Sequence, residues 1–262
     1  MKRILITAGL HADEINAMFV AFQLKGYLES KNYDNVDVIP LVNKTAFNIK
    51  KRKQNDNLDL NRSFPGNSEK KGTLKLADRI YNIAKKYDVV IDLHNYSNYR
   101  TCLPFFLTDL KKDRNKNLAQ KIGMKYAVQT SKTRGQLFVE LSEREGISTG
   151  IIEFSGSYKH NKKYHDFVYK KLINFIENER NNIDESNKDN VFMLDHYEKI
   201  RSKHEGKLKI LPNLESSVKK GELIAKIGHN DIFSPYEGVV IAKLEKENYF
   251  KKDKHFIAIA EI

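Results

Sequence analysis

The stretch DVVIDLHN, residues 88–95, decides the fold of this chain. It is an almost unbroken apolar run that closes on His94, which is typical of a strand buried on both faces of a sheet. Two similar runs lie before and after it, RILITAG at 3–9 and ISTGIIEFSG at 147–156. Segments with helical spacing of apolar residues separate the three runs. The sequence therefore predicts an α/β fold, with a mainly parallel mixed sheet and helices on both faces.

Apolar residues that recur every three or four positions predict the helices. Ile15, Met18, Phe19 and Phe22 show this spacing in the first of them. The predicted helices cover residues 13–30, 77–84, 136–146 and 161–180. Residues 43–72 are polar and predict a long loop, and a loop of that length in a compact domain usually has a function.

A polar segment, NERNNIDESNKDN at 178–190, ends the alternation of strands and helices. Four short strand-like runs follow it, each bounded by residues that favour turns. The sequence therefore predicts two domains, a large one at 1–182 and a small all-β, barrel-like module at 188–262.

Composition limits the classes of protein to which the chain can belong. The 262 residues carry a net charge of +12 and include one cysteine, Cys102. No apolar run approaches the roughly 20 residues that cross a bilayer. The apolar run after the basic N-terminal residues is too short for a signal peptide and leads directly into charged residues. We therefore expect a cytoplasmic protein without a membrane partner or an intrachain disulfide, in which Cys102 is a buried, inert thiol. The lysines are spread along the chain without a nucleic-acid-binding motif, so nucleic acid is not an expected partner, whereas a homo-oligomer stays open.

Candidate ligand residues follow three of the predicted strands. His11 and Glu14 come after the first strand, His94 closes the second and Glu153 lies near the end of a third. The carboxyl ends of parallel strands meet at one edge of a sheet, and two histidines with one glutamate form a known type of catalytic zinc site. The acidic residues after His11 are equally explained as the first turn of a helix, where the helix dipole favours negative charge.

Four motifs resemble those of the succinylglutamate desuccinylase and aspartoacylase family, which belongs to the zinc carboxypeptidase superfamily. The motifs are TAGLHADE at 7–14, DLNRSFPG at 59–66, VIDLHN at 90–95 and GIIEFSG at 150–156. The resemblance covers residues 3–180 and implies a zinc carboxypeptidase-like catalytic domain. The C-terminal part resembles the biotinyl and lipoyl barrels that family members carry, without the lysine motif that is modified in true biotinyl domains.

The resemblance implies that His11, Glu14 and His94 bind one Zn²⁺ ion per chain. It also implies that Glu153 is the general base, which takes a proton from the attacking water and returns it to the leaving amine. One departure from the family pattern is Ala12, where relatives usually have glycine. The methyl group of alanine removes no ligand.

The resemblance further implies that Asn61 and Arg62 bind a carboxylate of the substrate, a task that suits the planar guanidinium group. Arg52 is the candidate for polarising the carbonyl that is attacked. It lies in the basic run KKRKQ at 50–54, which is equally explained as a solvated loop. Asp13 is expected to support a metal ligand from outside the coordination sphere.

Together these features predict a zinc-dependent amide hydrolase, a deacylase that acts on a small N-acyl amino acid or a related amide. The basic run at 50–54 favours an anionic substrate. One alternative is a zinc carboxypeptidase-like peptidase, and another is a non-catalytic binding protein that keeps the fold. The C-terminal module favours the deacylase, because it would narrow the cleft against polymers.

Overall fold

The computed structural model describes residues 1–96, 100–156, 161–183, 191–244 and 249–261. Its central sheet has seven strands: β1 (Ile4–Ala8), β2 (Val36–Ile39), β3 (Val89–Tyr96), β5 (Phe105–Thr108), β6 (Tyr126–Gln129), β7 (Ser148–Gly156) and β8 (Phe192–Leu194). Their order across the sheet is β2-β1-β3-β7-β5-β6-β8. The long apolar run 88–95 is thus the third strand from one edge, and all eight residues of β3 are buried.

The central sheet is mixed, as predicted. Strands β2, β1, β3 and β7 run parallel to one another. Strand β5 pairs antiparallel with β7, and β6 and β8 then run parallel to β5. The amino ends of β5 and β6 therefore share one edge of the sheet with the carboxyl ends of β1, β3 and β7.

Helices cover both faces of the sheet, which confirms the predicted fold class. The helices are α1 (Ile15–Ser30), α2 (Lys44–Asn48), α3 (Gly72–Ala84), α4 (Asp113–Ile122), α5 (Leu137–Glu140) and α6 (Lys162–Asn181). Apolar residues of α1, α4 and α6 form one hydrophobic core against the sheet, and those of α3 and α5 form a second. Among the described residues, no helix is both long enough and apolar enough to cross a membrane.

Several predicted elements differ from the structure in detail. The helix predicted at 77–84 begins at Gly72, and the helix predicted at 136–146 is α5 followed by a π-helical turn, Leu141–Glu145. Helix α1 begins at Ile15 and not at residue 13, because a turn follows Gly9, whose φ is +70°. The predicted loop 43–72 contains α2 and a short 3-10 turn, Leu60–Arg62. Asn43 caps α2, since its side chain accepts a hydrogen bond from the backbone of Ala46 at 3.2 Å.

The C-terminal part consists of antiparallel strands, as predicted. The remaining strands are β4 (Arg100–Cys102), β9 (Tyr197–Arg201), β10 (Gly206–Ile210), β11 (Ser217–Val218), β12 (Leu223–Ile227), β13 (Asn230–Phe233), β14 (Gly238–Leu244), β15 (Tyr249–Phe250) and β16 (His255–Glu261). One sheet has the order β13-β12-β10-β15, and the other has the order β11-β14-β16-β9. A hydrophobic core of its own lies among these strands.

The two predicted domains exchange a strand in each direction. The run TCLPFFL predicts one strand, but Pro104 separates β4 from β5, because proline has no N–H for a sheet hydrogen bond. Strand β5 joins the central sheet, whereas β4 pairs with β14 of the C-terminal sheet. Conversely, β8 lies beyond residue 188 and pairs with β6 of the central sheet. Cys102, on β4, is fully buried at this junction, as predicted, and the boundary 182/188 stays a prediction.

Candidate active site

The four predicted metal and base residues lie at one edge of the central sheet. His11 and Glu14 lie in the turn between β1 and α1, and His94 lies on β3. Glu153 is the direct neighbour of His94 on β7. His11, Glu14 and His94 are buried, and each offers a ligand atom within 4.8 Å of those of the other two.

Both histidines turn the same ring atom toward Glu14. The Nδ1 atoms of His11 and His94 each lie 2.9 Å from a different carboxylate oxygen of Glu14. The backbone N–H of Asn95 also donates a hydrogen bond to Glu14, at 3.1 Å. Two nitrogen donors and one carboxylate thus converge in a buried, hydrogen-bonded arrangement.

Two aspartates that are not among the predicted site residues contact the other ring nitrogens. The Nε2 atom of His11 lies 2.9 Å from Asp59, and that of His94 lies 2.6 Å from Asp92. The hydroxyl of Thr7 in turn donates to Asp92 at 2.7 Å. Partners of this kind fix the orientation of histidines that bind metals. The spacing could have identified Asp92, because residues two apart on a strand face the same side of the sheet.

The charges of these groups are strongly coupled. Burial alone would raise the pKa of Glu14, but His94 and His11 outweigh burial and hold it well below its usual range. Burial alone would lower the pKa of His94, but Asp92 and Glu14 raise it well above its ordinary value. Burial alone would also lower the pKa of His11, but Glu14 and Asp59 outweigh burial and raise it above its ordinary value. The site therefore favours an ionised Glu14 beside two histidines whose pKa values are raised.

Arg52 reaches the same group of residues from the loop after α2. Its Nη1 atom donates to Asp13 at 3.0 Å and to Glu14 at 2.9 Å. Burial opposes the charge of Arg52, but the carboxylates of Glu14 and Asp13 outweigh burial and raise its pKa. Asp13 thus contacts Arg52 and not a histidine, and it is Asp59 and Asp92 that contact the histidines.

Asn61 and Arg62 lie in the 3-10 turn that follows Asp59. The side chain of Asn61 is buried and accepts a hydrogen bond from the backbone of Leu137 at 3.0 Å. Arg62 is exposed, and its Nη1 atom donates to the carbonyl of Asn61 at 2.5 Å. Gly135 packs so closely here that a Cβ atom would lie 2.3 Å from the carbonyl oxygen of Arg62. The role of both residues in binding a substrate stays a prediction.

Glu153 differs from the other carboxylates of the site. Its Oε2 atom is hidden from solvent and has no hydrogen-bond partner among the described residues. Burial, with a smaller contribution from Glu14, raises the pKa of Glu153 against the opposing charges of His94 and Lys199. A carboxylate whose pKa is raised in this way is suited to accept a proton and pass it on.

Cationic side chains lie around His255, on β16 of the C-terminal sheet. The backbone carbonyl of His255 accepts a hydrogen bond from Arg100 at 2.7 Å. Burial is the largest cause that lowers the pKa of His255, and the charges of Arg100, Lys199 and Arg201 lower it further, to about 3. This histidine is therefore neutral at any pH at which the protein is expected to work.

We expect His255 to make the folded chain less stable in acid. Below its ordinary pKa of 6.5, the unfolded chain binds a proton at His255 that the folded chain does not bind until about pH 3. Stability should fall with pH across that window, and His255 should contribute up to about 2 kcal/mol of the loss between pH 7 and pH 5. Urea unfolding at both values would show a smaller loss in His255→Gln than in the wild type. His229→Gln, at an exposed histidine, is the control, and equal losses in all three proteins would contradict the assignment.

Comparisons with known proteins agree with this architecture. A model of the succinylglutamate desuccinylase/aspartoacylase catalytic domain matches residues 1–172. The chain is 26% identical to an N-alpha-acetyl-L-2,4-diaminobutyric acid deacetylase of Halomonas elongata, over 238 residues that cover 85% of this chain and 69% of that enzyme.

Solved structures share the fold over almost the whole chain. The product-bound ectoine utilization protein EutE of Ruegeria pomeroyi superposes with a TM-score of 0.83 at 18% identity, covering 100% of this chain and 85% of that one. A succinylglutamate desuccinylase of a Silicibacter species has a TM-score of 0.79 at 22% identity, with 99% and 85% covered. Because the family model spans well over half of the residues, this chain belongs to the succinylglutamate desuccinylase/aspartoacylase family.

Proposed function

We propose that this protein is a zinc-dependent amide hydrolase that removes the acyl group from a small N-acyl amino acid. The observation that carries the proposal is the convergence of His11, Glu14 and His94 beside Glu153 at one edge of the sheet. Three buried ligands with a separate carboxylate alongside are the set of groups that metal-assisted hydrolysis requires.

The donor set fits zinc. Two imidazole nitrogens and one carboxylate are typical ligands of a catalytic zinc ion, which keeps a further position for water or substrate. Asp59 and Asp92 accept hydrogen bonds from the Nε2 atoms of the histidines, which leaves the two Nδ1 atoms directed at Glu14. When bound, zinc supplies a Lewis acid that lowers the pKa of water to about 7 and polarises a carbonyl group.

The protein's own residues would move the proton and orient the substrate. Glu153 accepts the proton of the attacking water and donates it to the amine nitrogen as the amide bond breaks. Arg52 would stabilise the negative charge that develops on the carbonyl oxygen, since a cation fixed beside that atom favours the charged transition state. In the structure Arg52 is held by Glu14 and Asp13, which keeps its guanidinium group at the site.

The relatives support the choice of substrate class. The Halomonas elongata enzyme is by its name a deacetylase of an N-acetyl amino acid, and a compound of that kind carries a free carboxylate beside its amide. Arg62, exposed next to the site, would bind that carboxylate by a charge-assisted hydrogen bond.

We expect Arg62→Ala to weaken substrate binding and to leave zinc in place. The lost bond to a charged group is worth roughly 1.5–3 kcal/mol. Because it is made in the ground state and in the transition state alike, the loss should appear mainly in KM. Steady-state kinetics with a parallel zinc assay would measure both effects. Arg79→Ala, at an exposed arginine of α3, is the control, and an unchanged KM in Arg62→Ala would remove Arg62 from the binding site.

A hydrolysis screen with the zinc-loaded protein tests the proposed function. The substrates are N-acyl amino acids with different acyl groups and amines, together with short peptides that have free or amidated C-termini. We expect cleavage of the small N-acyl amino acids and little cleavage of the peptides. Preferential release of C-terminal residues from peptides would make the protein a peptidase, and no cleavage of any compound would make it a binding protein.

A further inference from the structure

The segment before α5 packs against the 3-10 turn of the candidate active site. The backbone N–H of Phe64 donates a hydrogen bond to the carbonyl of Gly135 at 3.1 Å. The backbone N–H of Leu137 donates to the side chain of Asn61 at 3.0 Å. Gln136 lies between these two hydrogen bonds, so its backbone is fixed on both sides against the turn and the residues that follow it.

A buried carboxylate stabilises the bend of this segment. Glu140 accepts a hydrogen bond from the backbone N–H of Gly135 at 2.8 Å. The carbonyl of Gln136 in turn accepts one from the backbone N–H of Glu140 at 3.0 Å. The side chain of Gln136 does not cap α5. The place of Gln136 is therefore set by backbone contacts, and a change of its side chain would leave the segment where it is.

The side-chain amide of Gln136 lies beside the guanidinium group of Arg62. In the orientation that gives both ends of the amide a partner, its nitrogen donates to the carbonyl of Thr133 at 3.3 Å and its oxygen accepts from Nη1 of Arg62 at 3.2 Å. The same Nη1 atom donates to the carbonyl of Asn61 at 2.5 Å. Because Nη1 carries two hydrogens, these two acceptors use both of them.

The remaining donors of Arg62 lie along one edge of its guanidinium group. Neither Nε nor Nη2 donates a hydrogen bond to any residue that the structure describes. These two atoms lie side by side, and their parallel N–H groups match the two oxygens of a carboxylate. Holding Nη1 from two sides therefore leaves the edge that is suited to bidentate binding open to a ligand.

We propose that Gln136 is a positioning residue, which orients Arg62 so that its Nε and Nη2 atoms face a carboxylate of the substrate. This inference rests on the proposed function, in which Arg62 binds that carboxylate. Without the amide oxygen of Gln136, Nη1 keeps a single partner and the exposed guanidinium group turns more freely. The substrate would then have to immobilise a mobile side chain, which weakens binding. Gln136 lies outside the four motifs that resemble those of the family.

Gln136→Met tests the inference, because methionine has a similar length and volume and lacks the amide oxygen. N-acetylalanine, N-acetylaspartate and N-α-acetyllysine are the probes, and the compound that the wild type hydrolyses fastest is used throughout. We expect KM to rise about fivefold or more, as for one lost hydrogen bond, while kcat and zinc content stay close to the wild-type values. Gln23→Met, at an exposed glutamine of α1, is the matched control and should keep the wild-type KM.

A double-mutant cycle separates positioning of Arg62 from a structural role. In Arg62→Ala there is no guanidinium group to orient, so adding Gln136→Met should leave kcat/KM unchanged. A residue that only supports the fold would lower kcat/KM by the same factor whether or not Arg62 is present. Equal losses in the two backgrounds would therefore overturn the inference.

The possible failures are distinguishable. If the wild type hydrolyses none of the three compounds, the proposed function fails, and the inference that rests on it fails as well. If the wild type hydrolyses at least one of them but Gln136→Met keeps the wild-type KM, only the inference about Gln136 is overturned. The same holds if Gln136→Met lowers kcat and leaves KM unchanged.

Discussion

We expect Glu153→Gln to retain its zinc and its substrate affinity while its kcat falls by at least about 10²–10⁴-fold, the usual contribution of general acid–base catalysis. Glutamine keeps the shape of the side chain and can form hydrogen bonds, but it cannot accept a proton. The loss should lie at the upper end of that range, because one carboxylate serves both proton transfers. Single-turnover kinetics, zinc analysis and binding of a product amino acid would separate the three properties.

Glu69→Gln, at an exposed glutamate far from Glu153 in sequence, is the control, because it makes the same change of net charge. The raised pKa of Glu153 adds a second observable. The acid limb of kcat/KM should follow the titration of Glu153 in the wild type, because a protonated carboxyl group cannot act as the base. A Glu153→Gln protein with ordinary kcat would exclude Glu153 as the base.

The substitution His94→Ala should remove most of the zinc and, with it, the activity. It takes away one of the three buried candidate ligands and leaves Glu14 with a single histidine partner. We expect the metal content to fall from about one ion per chain, the number that a three-ligand site implies. Metal analysis after dialysis against a weak chelator would measure the loss, and circular dichroism would show that the variant is folded.

Asp92→Asn offers a graded comparison with His94→Ala. Loss of a carboxylate that holds a metal-binding histidine typically lowers metal affinity about 10–100-fold. Asp92→Asn should therefore bind zinc more weakly than the wild type and more tightly than His94→Ala. His229→Ala, at an exposed histidine, should bind as the wild type does. If His94→Ala kept full zinc content, the assignment of the ligands would be wrong.

Local patterns were sufficient to predict the architecture of the central sheet. The apolar run that became β3 and the helical spacing around α1 and α6 predicted their elements to within a few residues. The candidate ligands could be found because each follows or ends a buried strand, where the topology of an α/β sheet brings side chains together. The structure brings His11, Glu14 and His94 together, although their metal-binding role stays a proposal.

Long-range pairing could not be predicted in the same way. Nothing in the run TCLPFFL tells which sheet its two halves join, because the choice depends on partners more than a hundred residues away, such as β14. The same holds for β9, whose sequence is ordinary and whose position depends on pairing with β16. Asp59 was inside a recognised motif, but its contact with His11 depends on how a 48-residue segment returns to the turn after β1.

The exchange of β4 and β8 has a consequence for the inheritance of this architecture. The family model ends at residue 172, yet the sheet that it describes is completed by β8, and the C-terminal sheet is completed by β4. A gene fusion that joined a foreign module after α6 would leave both sheets one strand short, with unpaired backbone groups at two edges. The two parts are therefore constrained to be inherited as one unit.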